Sequence, residues 1–430
     1  MDRGALRGAD ATDLALENLM TEQQAFDHHS AEHAADPVCA YRAIRQGPGS
    51  VRTDAHGGYT VLTRYEDIAA AASDHSAFSS AFELPGDEGY GGGITLPRNP
   101  DSGRTSLAEM DPPEWRRYRR MLNPIFTPGA VSRFSPRIQA ITDEAIDRFV
   151  TKGSCDLVLD LVSPVPAIVT LEVLGMDTSE WERYAVPLHT SVYIPRDVRT
   201  PAWQELQDGF RWIFQQIRDE IARRRAEPKE GDLLAAIMNA DDPEGPLDDA
   251  LVFETAYTIV AAGVETTTSL LSSALWHLDR FPQDRQRLLD DPSLLDAACE
   301  EFLRYYTPEQ AGARTVAQHA EIGDESFERG ERVLLAWSSA NRDEAQFPDA
   351  DRFVLDRRPN RHMSFGYGIH RCLGSHLARQ EIKIVLGEVL RRLPDYAIDR
   401  QRTELYPDLG LMYGYKHMPA TFTPGERKKA

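Results

Sequence analysis

The chain has 430 residues, 41% hydrophobic and 27% charged, with 48 Lys and Arg against 68 Asp and Glu, a net charge of −20. That composition suits an ordinary globular protein. The acidic balance excludes general nucleic-acid binding, which needs a basic footprint. No apolar run reaches the roughly 18 residues of a membrane span. Met1 to Ala35 carries acidic residues where a signal peptide would be basic and apolar, so a cytoplasmic protein is expected.

Residues 1–35 are polar and weakly patterned, and read as a flexible arm with room for one short helix. Asp36-Pro37 opens a helix through Tyr41 and Ile44. Gly57-Gly58 leads into a strand at Tyr59, Val61 and Leu62, and Tyr65 to Ser73 is again helical. Residues 83–108 hold Gly86, Gly89, Gly91, Gly92, Gly93 and Gly103, a long loop of the kind that usually serves function. From Pro112 to about residue 240 the pattern is mostly helical, with breaks at Pro124, Pro128, Gly153 and Pro195. Residues 248–280 predict one helix of roughly 50 Å, started by Asp248 and stopped by Phe281-Pro282. Helices continue through 284–306. Short strands follow at Thr315-Val316 and Val333 to Trp337, then irregular chain over 342–371 and a last helix from Leu373 to Leu393. Leu411, Tyr413 and Phe422 belong to a loop-and-strand tail. With no repeat and no linker, the expectation is one large domain over 36–424, mainly α with a smaller β portion, and a tail at 425–430.

Cys39, Cys155, Cys299 and Cys372 form no C-x-x-C pair, so neither a disulfide framework nor a zinc ribbon is indicated. The first three read as core packing. Cys372 sits in Phe365-Gly366-Tyr367-Gly368-Ile369-His370-Arg371-Cys372-Leu373-Gly374. Gly366 and Gly368 allow tight turns and the close approach of a flat group. A helix start and Arg371 favour a thiolate. A lone thiolate does not suit zinc but suits an axial ligand to haem iron. A buried structural cysteine in a Gly-rich turn is the other reading.

The segment F-G-x-G-x-H-R-C-x-G resembles the haem loop of the soluble bacterial cytochromes P-450. The resemblance spans about residues 36–424. It implies that the fold is a cytochrome P-450 domain, with haem b between the long central helix and the cysteine loop. It makes Cys372 the iron ligand, with His370, Phe365, Gly366 and Gly374 about the haem. Glu301-Phe302-Leu303-Arg304 reads as the family's E-x-x-R, joined by Arg357, with Arg342 as the other candidate. Arg119 and Trp115, one helical turn apart, and Arg314 resemble the propionate partners; many bacterial members carry His where Trp115 stands.

On the long helix, Ala262, Thr266, Ser269 and Ser273 form one small-residue face on which a flat ligand or a helix could pack. Gly263 in mid-helix needs a local reason; in the family the segment bulges to make room for dioxygen. Glu265 and Thr266 resemble the family's acid–alcohol pair for proton delivery, with Glu in place of the commoner Asp. The pair favours an O2-using monooxygenase over a peroxide-driven relative. Coupling, desaturation or non-catalytic haem binding are the alternatives.

No flavin or iron–sulfur module is present, so electrons are expected from a separate ferredoxin and its reductase. The substrate is expected to be a small hydrophobic molecule: a terpenoid, steroid, aromatic or other natural product. Its expected lining is the 83–108 loop, residues near 185–205, Val264, Gln310 to Ala313, Met412 and Tyr413. A monomer is expected. Arg116, Arg117, Arg119 and Arg120, with Arg361, Arg371 and Arg379, suggest a positive patch for an acidic partner on an otherwise acidic chain.

Overall fold

A computed structural model describes residues 26–428, apart from 85, 87–91, 99–103, 195–199 and 241–244. Asp36 caps helix α1 (Pro37–Gln46), accepting from Cys39 N, with Pro37 at the first helical position. Strands β1 (Ser50–Thr53) and β2 (Tyr59–Leu62) follow, then helix α2 (Tyr65–Ser73) and strand β3 (Phe78–Ser79). The middle of the chain builds α3 (Glu114–Leu122), α4 (Ser135–Asp147), strand β4 (Ser154–Asp156), α5 (Pro164–Leu174), α6 (Trp181–Ser191) and α7 (Pro201–Ala226). Asp248 then caps α8 (Asp249–Arg280), a helix of 32 residues and so roughly 48 Å long. Helix α9 (Leu295–Tyr306), strands β5 (Gly312–Val316) and β6 (Arg332–Leu335), helix α10 (Ser375–Arg392) and strands β7 (Ala397–Ile398) and β8 (Pro419–Thr421) complete the frame.

Helix α8 packs against α5, α7 and α10, and almost its whole second half is buried. An α-helix apolar on all sides can only be a core element. To one side lies a sheet of order β1-β2-β6-β5-β3. Its β2–β6 pair is parallel and its other pairs are antiparallel. A second, antiparallel sheet places β8 between β4 and β7.

Three expectations need correction. The arm is shorter than 1–35: His28 is buried against the Tyr59 hydroxyl at 2.7 Å, and His29 meets Asp408 at 2.7 Å. Residues 1–25 and Pro195 lie outside the described residues. At the other end, Gly425 N donates to Val150 O at 3.0 Å and Lys428 Nζ reaches Asp143 at 2.6 Å, so residues 425–428 are fastened to the domain. Cys39 is exposed on α1, not core, because it stands on the face opposite Tyr41 and Ile44.

Candidate active site

The loop before α10 is shaped by glycine. Gly366 and Gly368 have φ of 70° and 69°, and a Cβ on Gly368 would stand 2.2 Å from the Ala72 carbonyl oxygen. Only glycine therefore fits against the end of α2. Cys372 N donates to Phe365 O at 2.8 Å, closing the turn so that the thiol faces a cavity of about 510 Å³. Burial pushes the Cys372 thiol up, opposed by the Gly374 N–H and the guanidinium charges of Arg119 and Arg379. Phe365, Gly366, Gly374 and Ala378 line the same side of the cavity.

The scaffold beneath this loop is a buried charge network. Glu301 receives Arg304 through two bonds of 2.8 Å, Arg357 Nε at 3.1 and 3.2 Å, Val354 N at 2.8 Å and Asn360 at 3.1 Å. Arg304 also donates to the carbonyls of Asn341, Ala350 and Arg352. One fully buried pair thus gathers the irregular segment that carries the cysteine loop. Such pairs are held by their full complement of bonds, and removing one partner costs about 3–5 kcal/mol. Arg342 stands apart: it donates to Tyr305 O at 2.8 Å and lies over the Tyr305 ring.

A second pair fixes α10 to α9. Arg379 donates to Glu300 at 2.6 and 2.8 Å, and His362 meets Glu300 at 3.1 Å. Burial opposes the Glu300 charge, but Arg379 and His362 bring its carboxyl down to about 2 from an ordinary 4.5. A depressed carboxylate stabilises the fold above its unfolded pKa and ceases to do so as pH falls through its folded one. Denaturant melts should therefore find Glu300→Gln less stable by about 2–3 kcal/mol near pH 7. The gap should close between pH 4.5 and pH 2. A gap independent of pH would contradict the pairing.

At one rim of the cavity several donors stand unused. Trp115 Nε1 and both ring nitrogens of His370 are buried without a hydrogen-bond partner. Arg119 donates to Arg371 O at 2.9 Å, and Arg314, deep in β5, donates to the neighbouring Ala313 O at 2.7 Å. His370 lies 3.7 Å from Asp111 and edge-on to the Trp115 ring. A thiol on the floor, glycines beside it and unsatisfied donors at the rim fit a flat group that bears carboxylates.

Helix α8 forms the opposite wall. Ala262, Gly263, Glu265 and Thr266 line the cavity. The Thr266 hydroxyl donates to Ala262 O at 2.9 Å. Glu265 is clamped: Oε2 lies 3.1 Å from His189 Nδ1 on α6, and Oε1 accepts from the Tyr406 hydroxyl and from Ser269 Oγ at 3.5 Å. Burial works against a charge on His189, yet Glu265 holds it above the ordinary histidine range. Helix α8 runs unbroken through Gly263, without the expected bulge. The reason for that glycine is close approach of α5, since a Cβ there would stand 2.5 Å from Thr170 Oγ1. Of the small-residue face, Ala262 and Thr266 meet the cavity, whereas Ser269 and Ser273 turn inward to Glu265 and to the helix backbone.

Part of the expected substrate lining is displaced. Met412 is at the cavity wall, as are residues 94, 105–108, 188, 191 and 192. Val264 is not: it is buried on the far face of α8, and Thr268, one turn on, donates to Val162 O. Ala313 points into the cluster with Tyr41, Val61 and Leu334, because strand residues alternate and its neighbours Gly312 and Arg314 take the cavity side. Gln310 bonds Tyr306 O at 3.1 Å and lines a separate small cavity with Tyr413. The cavity instead holds two acids not anticipated from the sequence, Glu309 and Glu381.

A thiol-floored cavity crossed by a long helix that carries an acid and an alcohol defines a haem-thiolate oxidoreductase. The comparisons agree. The Cytochrome P450 family model matches residues 283–402. The mycinamicin IV hydroxylase/epoxidase of Micromonospora griseorubida is 32% identical over 82% of this chain and 86% of that protein. The steroid C26-monooxygenase of Mycolicibacterium smegmatis is 33% identical over 90% and 92%. The structure of CYP109E1 from Bacillus megaterium in complex with testosterone superposes with a TM-score of 0.78 at 27% identity, covering 92% of this chain and 100% of that one. The chain belongs to the cytochrome P450 family. It is a haem-thiolate monooxygenase, and its cofactor is haem b with an axial cysteine thiolate. Among the described residues, no helix is long and apolar enough to cross a membrane.

Proposed function

We propose that the enzyme inserts one atom of O2 into a bulky, largely apolar natural product, with electrons from a separate ferredoxin and its reductase. The observation that carries the reading is a single cavity that presents Cys372 on one wall and Thr266 on the other. Relatives named for mycinamicin IV and for steroids support a substrate of that size and polarity. Cys372 is the thiolate ligand. Phe365, Gly366, Gly374 and Ala262 would pack against the haem, and Trp115, Arg119, Arg314 and His370 would receive its carboxylates. Bound there, the haem supplies the activation of dioxygen. Thr266 holds a proton at the reaction chamber and Glu265 passes protons to it from the His189–Tyr406 side. Met412 borders the substrate. The protein acts as a cytoplasmic monomer.

Electrons enter on the cysteine side. Arg119 ties α3 to the cysteine loop, which places the exposed Arg116, Arg120 and Arg371 beside it. Arg117 and Arg379 are turned to Gly245 O and Glu300 and contribute less. An acidic ferredoxin would be steered to this face, with screening over about 10 Å at 0.1 M salt. The test is NADH-driven oxygen consumption through ferredoxin and its reductase. Arg116→Glu combined with Arg120→Glu should slow it several-fold while the Soret response to substrate is unchanged, and added salt should slow the wild type. Turnover indifferent to both changes would place the docking site elsewhere.

A further inference from the structure

We propose that Glu309 is the anchor for a cationic group on the substrate, so that the molecules this enzyme oxidises are hydrophobic amines. The proposal rests on the reading of this cavity as the monooxygenase substrate chamber and narrows it. Glu309 follows Pro308 at the end of α9, and its backbone forms an isolated antiparallel bridge with Met412. It is therefore fixed in the cavity wall between α9 and the Leu411–Met412 segment, on a frame that does not depend on its side chain.

Its carboxylate is partnerless. Among the described residues it has no hydrogen bond and no ion pair. Glu265, by contrast, is clamped by His189 and Tyr406. Arg314 is the cation whose charge reaches Glu309, but no ion pair joins the two, and Arg314 donates instead to Ala313 O at the rim. Met412 is its bridge partner, and Ile94, Leu188 and Val192 line the same cavity. Burial pushes the Glu309 carboxyl up, and the Arg314 charge only partly opposes it. An isolated carboxylate in such surroundings is costly unless a counter-charge arrives. The propionates of a bound haem would not provide it, being carboxylates themselves. A cationic substrate group would supply it, since a few well-placed polar or charged groups are what select and orient a ligand in a mostly apolar pocket. An ammonium at Glu309 would hold the rest of the molecule across the face of the cavity that Thr266 borders. The same charge would turn away carboxylic acids.

The holoenzyme, titrated at pH 7.5 and followed by its Soret band, tests this with three probes of one shape: 4-phenylbutyltrimethylammonium, 4-phenylbutanol and 4-phenylbutyrate. The quaternary ammonium has no lone pair and cannot ligate the iron itself. The wild type should bind the cation about tenfold or more tighter than the alcohol, and the carboxylate most weakly. Glu309→Gln should lose that preference through weaker cation binding, with the alcohol changed less than about twofold. Glu309→Leu should bind the alcohol better than the wild type does. An alcohol bound as tightly as the cation by the wild type would make Glu309 a neutral hydrogen-bonding group and overturn the proposal. So would a cation that fails to bind, or an equal loss of all three probes in Glu309→Gln. The carbon monoxide band of the reduced wild type separates the two levels: its absence strikes the functional reading, whereas a normal band without cation preference strikes this proposal alone.

Discussion

Cys372→Ser should abolish the long-wavelength carbon monoxide band of the reduced protein, and with it all turnover. A serine hydroxyl is about as small as a thiol but is not ionised near neutrality, so it cannot replace a thiolate that donates electron density to iron. The loop itself should survive the change, because its closure depends on Cys372 N and Phe365 O and on glycine backbone angles, not on the sulfur. Cys39→Ser, on the exposed face of α1, and Cys155→Ser, half-buried in β4, should keep the band. Cys299→Ser should keep it with some loss of stability, since that thiol is buried on α9. A band that persists in Cys372→Ser would refute the assignment of the iron ligand.

Thr266→Ala should leave haem and substrate binding near normal while most of the NADH consumed yields hydrogen peroxide instead of product. The hydroxyl removed is bonded only to the carbonyl of its own helix, one turn back, so its loss leaves no buried group unsatisfied elsewhere. What is lost is directed protonation inside the chamber. Glu265→Gln should behave differently. A glutamine can retain the contact with Tyr406 but cannot carry a proton, so turnover should fall by about 10²-fold with a smaller rise in peroxide. Peroxide yield measured against NADH distinguishes the two outcomes. Unchanged coupling in Thr266→Ala would remove this alcohol from the proton path.

What could be read from the chain was whatever is local. The glycine–cysteine loop, the bounds of the long helix and the Glu301–Arg304 pair are all written within a dozen residues or one helical turn, and each stands where expected. Arg357 was reached through a short segment adjoining it and does join Glu301. The clamp on Glu265 was not legible. His189 and Tyr406 lie 76 and 141 residues away, and no periodicity links them. The cavity lining failed for a different reason. Neighbours in a strand face opposite sides, so reading the run from Gln310 to Ala313 as lining takes in Ala313 along with Gly312, and only Gly312 meets the cavity. Nothing local marks Glu309 as a cavity residue, because its place in the wall is set by the bridge to Met412, far along the chain.

The strand Pro419–Thr421 lies between two strands that precede it in the chain, Ser154–Asp156 and Ala397–Ile398. Neither of those pairs with the other, so the small sheet does not exist until the last of its three members has been synthesised. Met418, Ala420 and Phe422 are buried there, and Leu157 N donates to Met418 O. A nascent chain that has made everything through α10 therefore still shows an open apolar edge beside Phe149 and β4. Chains emerge over many seconds, and exposed edges of this kind are where folding intermediates aggregate. Deletions that reach back past Phe422 should therefore lower soluble yield during expression, with the effect set during translation and not by the chemistry of the cavity.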